Sequence, residues 1–298
     1  MTTTKNNSLY GNLSGLGAYL LWGMLPIYWK QLGGASAPEI LMHRIIWGFL
    51  FLVFIGFLTG GFAWLKTLKR QHLLRLSIQT LMLASNWLLY IWSVNNGYIV
   101  ETSIGYFMNP LIYVVLGVVL LSEKINRLEI AAVLIACAGV IWITVMHGAF
   151  PWRAVLIATT FGFYGLFKKL SPMDSISGLT AETALLLPFA LGWVLYLHIS
   201  GNAAFCTGDM KINLFLLGAG AATTTPLILF SWAAKRITLI RLGFLQYIAP
   251  SLQFLAGVFI YGETVGFNRG LGIGMILLAT IIYIFSQIHQ NLRHNSLK

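Results

Sequence analysis

Charged side chains are scarce in this sequence: Asp, Glu, Lys and Arg make up 9% of its 298 residues, whereas 58% are hydrophobic. Soluble domains carry roughly 25% charged residues, so the composition excludes a water-soluble fold. The shortage falls mainly on one sign, because 8 acidic residues stand against 19 Lys and Arg. The resulting net charge of +11 would suit nucleic-acid binding. Membrane proteins, however, gather Lys and Arg on their cytoplasmic loops, and we expect no nucleic-acid partner.

Residues able to carry catalysis or bind metals are equally few. The two cysteines, Cys137 within an apolar run and Cys206 in a loop, have no metal-ligand spacing and are not expected to form a disulfide. The two aspartates, Asp174 and Asp209, fall in predicted loops, and neither an HExxH motif nor a Ser/His constellation is present. We therefore expect no metal, no cofactor and no enzymatic activity.

Long apolar runs are abundant. About 20 mostly apolar residues span a bilayer as a helix. We predict an all-α integral membrane protein with ten transmembrane helices, at 13–31, 38–58, 76–94, 103–121, 128–146, 152–167, 179–199, 212–234, 242–261 and 267–288. The first run lacks a small-x-small cleavage site, so we expect an uncleaved helix rather than a signal peptide. The basic connection at 60–75 is predicted to lie along the lipid headgroups as an amphipathic element.

The pattern of residues 101–123 returns 140 residues later, so that Pro110 aligns with Pro250 and Glu123 with Glu263. This duplication predicts two five-helix repeats, residues 1–147 and 148–298. Because five is odd, the second repeat enters the membrane from the opposite side, which gives an inverted-topology repeat. Such repeats build two gates around a midplane site and favour a secondary transporter that works by alternating access. The alternative is a polytopic membrane protein without transport activity, such as an intramembrane lipid-modifying enzyme.

Loop charges predict the orientation. With the N-terminus inside, 14 of the Lys and Arg residues fall on inner segments and 4 on outer segments, and Arg44 remains within a helix. An excess of Lys and Arg marks cytoplasmic loops. We therefore expect both termini in the cytoplasm.

Several motifs resemble a known family. They are W-G-M-L-P-I-Y-W-K (22–30), E-I-L-M-H-R-I-I-W (39–47), N-W-L-L-Y-I-W-S-V-N-N (86–96), G-Y-F-M-N-P-L (105–111) and G-F-L-Q-Y-I-A-P (243–250). These stretches resemble the RarD proteins. The doubled five-helix unit resembles the EamA repeat of the drug/metabolite transporter superfamily. The resemblance implies a multi-pass permease of the bacterial inner (plasma) membrane that exports small organic molecules or drugs, chloramphenicol being the compound linked to the family name.

Ionisable residues inside a membrane span are costly and usually face a cavity or one another. Glu39 and His43 share a face of helix 2, and Arg44 lies roughly 7.5 Å deeper than Glu39. The charge of Arg44 needs an anionic substrate group, another partner or water there, unless the side chain snorkels to the headgroups. Glu39 has a second interpretation, because Ser36 and Glu39 fit a capping box. Glu182, its counterpart on helix 7, is either a first-turn acid favoured by the helix dipole or a titrating gate group, which makes proton coupling a hypothesis.

Uncharged polar residues recur at mid-helix positions of both repeats. Tyr106, Asn109 and Tyr113 are spaced i, i+3, i+7 on one helix face, and the second repeat has Gln246 and Gln253 at two of the three matching positions. Helix–helix hydrogen bonding is one explanation for such residues. Because the stripe recurs, we favour the other explanation, a lined cavity.

Trp22 belongs to an aromatic face of helix 1, which is typical of packing or of an interface belt but would also suit a pocket for planar compounds. We expect a small-molecule substrate and the lipid bilayer as the partners of the protein. The predicted substrate pathway comprises Arg44, His43, Glu39, Trp22, Asn86, Tyr106, Asn109, Tyr113, Gln246, Tyr247, Gln253 and Glu182.

Overall fold

The computed structural model describes residues 2–59, 70–148, 150–260, 262 and 266–296. Within these ranges no residue belongs to a strand, and the all-α class is confirmed. The helices are α1 (Thr2–Trp29), α2 (Ala37–Thr59), α3 (Arg70–Asn95), α4 (Ile99–Leu121), α5 (Arg127–His147), α6 (Trp152–Leu170), α7 (Ser175–Ile199), α8 (Met210–Ala234), α9 (Leu239–Gln246), α10 (Ile248–Phe259) and α11 (Phe267–Ser296), with a short 3₁₀ helix at Lys30–Leu32. The amphipathic element predicted at 60–75 lies largely outside the described residues, as does Glu263.

Seven segments among the described residues are long and apolar enough to cross a membrane. They are Ala37–Thr59, Glu101–Leu121, Arg127–Met146, Ser175–Ile199, Met210–Ala234, Leu239–Phe259 and Phe267–His289. The chain is therefore a multi-span membrane protein. The less apolar helices are α1, α3 and α6, which carry polar or aromatic side chains that point into the bundle.

Helix α7 begins earlier than the apolar pattern predicts. The sequence predicts a start at Leu179, but the helix starts at Ser175, because the Asp174 carboxylate accepts hydrogen bonds from the backbone N–H groups of Ile176 and Ser177 at 3.1 and 3.0 Å. A capping aspartate satisfies N–H groups that have no partner inside the helix. A pattern of apolar residues does not reveal the polar first turn of α7.

The single helix predicted at 242–261 is two helices, α9 and α10, which meet at Tyr247. Pro250 lacks the N–H that would bond to the carbonyl of Gln246, so the helix loses a bond at the break. Helix α9 starts at Leu239, because Thr238 caps it and the Glu123 carboxylate accepts from the first two backbone N–H groups at 2.8 and 3.1 Å. Glu123 therefore ties the end of α4 to the start of α9.

Neighbouring helices approach closely where side chains are small. A Cβ atom on Gly220 of α8 would lie 2.2 Å from the carbonyl carbon of Trp47 on α2. On Gly139 of α5, a Cβ would lie 2.8 Å from the carbonyl oxygen of Gly272 on α11. No hydrophobic effect drives helices together inside a membrane, so they associate through close packing at small residues such as these.

Contacts between loops define the two ends of the bundle. At one end, which we call the basic end, Lys235 after α8 donates to the carbonyl oxygens of Ser171 and Met173 in the α6–α7 connection. At the opposite end, Arg153 at the start of α6 pairs with Glu101 at the start of α4, with a nitrogen–oxygen distance of 2.7 Å. The candidate site lies between these ends.

Candidate functional site

A cavity of about 320 Å³ lies inside the bundle. It reaches the opposite end of the bundle, since its lining includes the last residue of α1, Trp29, and the first residue of α2, Ala37. Its polar and aromatic lining consists of Tyr19, Trp22, Trp29, Arg44, Asn86, Trp87, Tyr90, Tyr106, Phe161, Thr223, Gln246 and Gln253. An aromatic chamber with a few polar groups is the usual character of a small-molecule site.

Arg44 is the charged residue of this lining. Its Nε donates to the Thr223 hydroxyl at 2.8 Å. Its guanidinium carbon lies 5.2 Å from the ring centre of Trp29 and 5.0 Å from that of Trp87, within the range of cation–π attraction. Among the described residues no carboxylate forms an ion pair with it. Arg44, which lies roughly 7.5 Å deeper than Glu39 along α2, lines the cavity.

Glu39 and His43 do not line the cavity. The Ser36 hydroxyl accepts from the Glu39 backbone N–H at 3.3 Å, so Ser36 caps α2. The Glu39 carboxylate does not complete a capping box; it accepts from the backbone N–H groups of Ala204 and its neighbour at 2.8 and 3.0 Å and anchors the α7–α8 loop. His43 is buried, and its Nδ1 accepts from the Trp47 indole at 2.9 Å.

The polar stripe of α4 and its images divide between the cavity and the packed core. Tyr106, Gln246 and Gln253 line the cavity, as does Asn86 of α3, whose amide donates to the Ile157 carbonyl at 2.8 Å. The amide of Gln253 donates to the carbonyl of the cavity residue Trp22 at 3.1 Å. These residues are brought together around one space, as the sequence predicts for a lined cavity.

Asn109, Tyr113 and Tyr247 are buried but stand apart from the cavity lining. The Tyr113 hydroxyl donates to the Phe161 carbonyl at 3.3 Å and packs against Gly165, where a Cβ would lie 2.3 Å from it. Helical periodicity assigns residues to a face but not to a depth, and the stripe runs about 10 Å along the axis. Of the three residues of the stripe on α4, Tyr106 is the one that lines the cavity.

Five aromatic side chains close the cavity on the side of the basic end. Their ring centres are 5.4 to 6.4 Å apart, the separation of aromatic pairs that attract each other. We call this the aromatic layer; it consists of Tyr19, Trp22, Phe161, Tyr164 and Phe230.

Glu182 lies beyond the aromatic layer, in a buried polar cluster that sequence reasoning found only in part. Its Oε1 is 2.6 Å from Lys168 Nζ, and both residues are at most 1% exposed. The Tyr164 hydroxyl donates to Oε2 at 3.1 Å, and the Gln79 amide donates to Oε1. The helix predicted at 152–167 leaves Lys168 in the connection that follows it, because a lysine at the end of an apolar run resembles a loop charge. The sequence signal for a buried Lys168 is Glu182, since a buried acid requires a partner.

A membrane-embedded helical bundle with a polar-lined chamber that is closed at one end has the architecture of a membrane transport protein. Comparison with known proteins gives the same class: the model of the EamA-like transporter family matches residues 9–145. The uncharacterized transporter YojE of Bacillus subtilis (strain 168) is 40% identical over 96% of this chain and 95% of its own length. Protein RarD of Escherichia coli (strain K12) is 38% identical over 95% and 96%.

A more distant relative is the chloramphenicol-sensitive protein RarD of Pseudomonas aeruginosa, 29% identical over 85% of this chain and 86% of its own. A solved crystal structure shares the fold, with a TM-score of 0.69 at 18% identity over 91% of this chain and 96% of that one. The chain belongs to the EamA-like transporter family, within its RarD group.

Proposed function

We propose that the protein is a secondary transporter that moves small organic molecules through the cavity by alternating access. The observation that carries this proposal is the asymmetry of the cavity, which reaches the opposite end of the bundle but is closed toward the basic end by the aromatic layer. A carrier needs a site that opens to one side at a time.

In this proposal the bundle has ten transmembrane helices in two inverted repeats, residues 1–147 and 148–298. The shortest of the less apolar helices, α6, has 19 residues, and a helix of that length is about 28 Å long, close to the hydrocarbon thickness of roughly 30 Å. The helices α9 and α10 together form one span. The match of the family model to residues 9–145 supports the boundary between the repeats.

We place the basic end in the cytoplasm of a bacterial cell, with both termini inside and the bundle in the inner membrane. The bacterial relatives and the Lys and Arg residues near this end, such as Lys124, Lys235 and Arg241, support this orientation. Reporter fusions test it. A fusion near Asn96 should be active outside the cytoplasm and a fusion near Arg236 inside; activity of both in one compartment would contradict the inverted topology.

With this orientation the described conformation opens outward, and the aromatic layer with the Lys168–Glu182 cluster forms the closed inner gate. The gate offers a site for proton coupling, because opening it would bring water to a carboxylate that is otherwise buried. Export of drugs or metabolites is the direction favoured by the family resemblance.

The experiment begins with a thermal-shift screen of metabolites and amphenicols on the purified protein. Compounds that raise the melting temperature are then tested for uptake and counterflow in proteoliposomes. Saturable uptake with counterflow supports a carrier, since a channel gives no counterflow. Phe161→Ala and Trp22→Ala, which thin the aromatic layer, should alter uptake, whereas the lipid-facing Leu134→Ala should not. Absence of counterflow for every stabilising compound would contradict the proposal.

A further inference from the structure

The charge of Arg44 is the feature of the cavity that the proposed function leaves unexplained. Its guanidinium uses Nε for Thr223, and its two terminal nitrogens have no hydrogen-bond acceptor among the described residues. The carboxylates of all seven acidic residues that the structure describes are engaged elsewhere. They are Glu39, Glu101, Glu123, Glu129, Asp174, Glu182 and Asp209.

Arg153, which does not line the cavity, offers a comparison within the same fold. Its guanidinium carbon lies 3.4 Å from the ring centre of Tyr98 and 4.5 Å from that of Trp152, so it too sits among aromatic rings. Unlike Arg44, it has a carboxylate partner, Glu101 at 2.7 Å. Both arginines lie among aromatic rings, but Arg153 has a carboxylate partner and Arg44 has none among the described residues.

We infer that the substrate of this cavity is a small organic anion with a carboxylate group on a flat, aromatic body, an inference that rests on the proposed transport function. The two terminal nitrogens of a guanidinium match the two oxygens of a carboxylate. The bound carboxylate would supply the hydrogen-bond acceptors that the protein does not provide for Arg44. It would do so at a depth in the membrane where an unpaired charge is costly.

The rest of the lining fits the body of such an anion. Trp22, Tyr90 and Phe161 provide ring surfaces in the same cavity as Arg44. Gln246 adds a polar amide side chain to the lining. Small-molecule sites run from roughly 300 to 1,000 Å³, and a cavity of about 320 Å³ selects the small end of that range.

A cationic substrate is the competing class, because aromatic rings attract cations. Here the faces of Trp29 and Trp87 are already occupied by Arg44. A second cation would meet its repulsion with no acidic side chain among the cavity's lining residues to offset it. The cavity therefore discriminates against amines.

Isothermal titration of the purified protein tests the inference with matched ligands that differ in charge: benzoate, phenylacetate and indole-3-acetate, the corresponding amides, and phenethylamine. We expect the carboxylates to bind, the amides to bind more weakly, and the amine not to bind. A hydrogen bond to a charged group contributes about 1.5–3 kcal/mol, so Arg44→Gln should weaken carboxylate binding by about 10- to 100-fold. Arg153→Gln, the matched control, should leave the affinity unchanged.

Equal binding of acid and amide to the unaltered protein would overturn the inference, and so would a lack of binding by every carboxylate at millimolar concentration. This comparison needs no variant, so it stands even if Arg44→Gln does not fold. Carboxylate binding without counterflow in proteoliposomes would keep the ligand class and refute transport. Counterflow of neutral compounds without carboxylate binding would refute the ligand class and keep transport.

Discussion

The buried pair of Lys168 and Glu182 permits a quantitative prediction of stability. At a separation of 2.6 Å, two unit charges attract by about 6 kcal/mol at an effective dielectric constant of about 20. Desolvation of the two ions opposes this attraction, so the net contribution of the pair is small. The loss of one partner is different, since it leaves the other charge buried and unpaired, at a cost of about 3–5 kcal/mol.

We therefore expect Lys168→Met and Glu182→Gln each to lower the free energy of unfolding by about 3–5 kcal/mol. The double variant should lose less than either single variant, about 2 kcal/mol or less, because no uncompensated charge remains. In the double variant the glutamine oxygen at position 182 can still accept from Tyr164.

The assay is equilibrium unfolding in mixed micelles of detergent and sodium dodecyl sulfate, followed by tryptophan fluorescence. The control is Lys124→Met, which removes an exposed lysine at the same end of the bundle and should change stability by about 0.5 kcal/mol or less. The reasoning is refuted if Lys168→Met is no more destabilising than the control, or if the losses of the two single variants add in the double variant.

Three further outcomes are expected. Gly220→Ala should lower the free energy of unfolding by about 1–3 kcal/mol, because the added Cβ would meet Trp47. The matched change Gly192→Ala, with open space around its Cβ, should be neutral or stabilising. Equal losses in the unfolding assay would contradict the close contact. Glu39→Gln should lower stability by about 1–3 kcal/mol through the α7–α8 loop but leave ligand affinity unchanged in titration, since Glu39 does not line the cavity; a large loss of affinity would place it in the pathway. Glu182→Gln should abolish the response of proteoliposome uptake to an imposed pH gradient, and an unchanged response would remove it as the coupling group.

The sequence predicts which segments are helices better than it predicts how deeply individual side chains are buried. Apolar runs of about 20 residues are a strong signal for helices. Of the residues in the polar stripe and its repeat, Tyr106, Gln246 and Gln253 lie around one cavity. Tyr113 has the same periodicity and lies in packed core, because three-dimensional packing against Gly165 decides where the cavity ends. Lys168 illustrates the same point, since its charge is buried against Glu182 of α7, a partner 14 residues further along the chain.

Start and end points of helices depend on side-chain hydrogen bonds that hydrophobicity does not record. Asp174 extends α7 by a turn through its two cap bonds, and Glu123 starts α9 from another helix, 116 residues away in sequence. The first is recognisable as an N-cap residue in retrospect. The second is not, because a carboxylate that caps a distant helix leaves no local pattern.

Glu39 and its rough counterpart in the second repeat, Glu182, have different partners, and the proposed alternating access gives this difference a meaning. Glu182 pairs with the buried Lys168 toward the basic end, whereas Glu39 accepts a hydrogen bond from the backbone of the α7–α8 loop, at the end that the cavity reaches. Opening the basic end would separate or hydrate the Lys168–Glu182 pair. A substrate can favour that change only by binding the inward-open state more tightly than the outward-open one. An anion on Arg44 that bound both states equally would occupy the cavity without moving the gate, so transport requires that the aromatic surroundings of Arg44 differ between the two states.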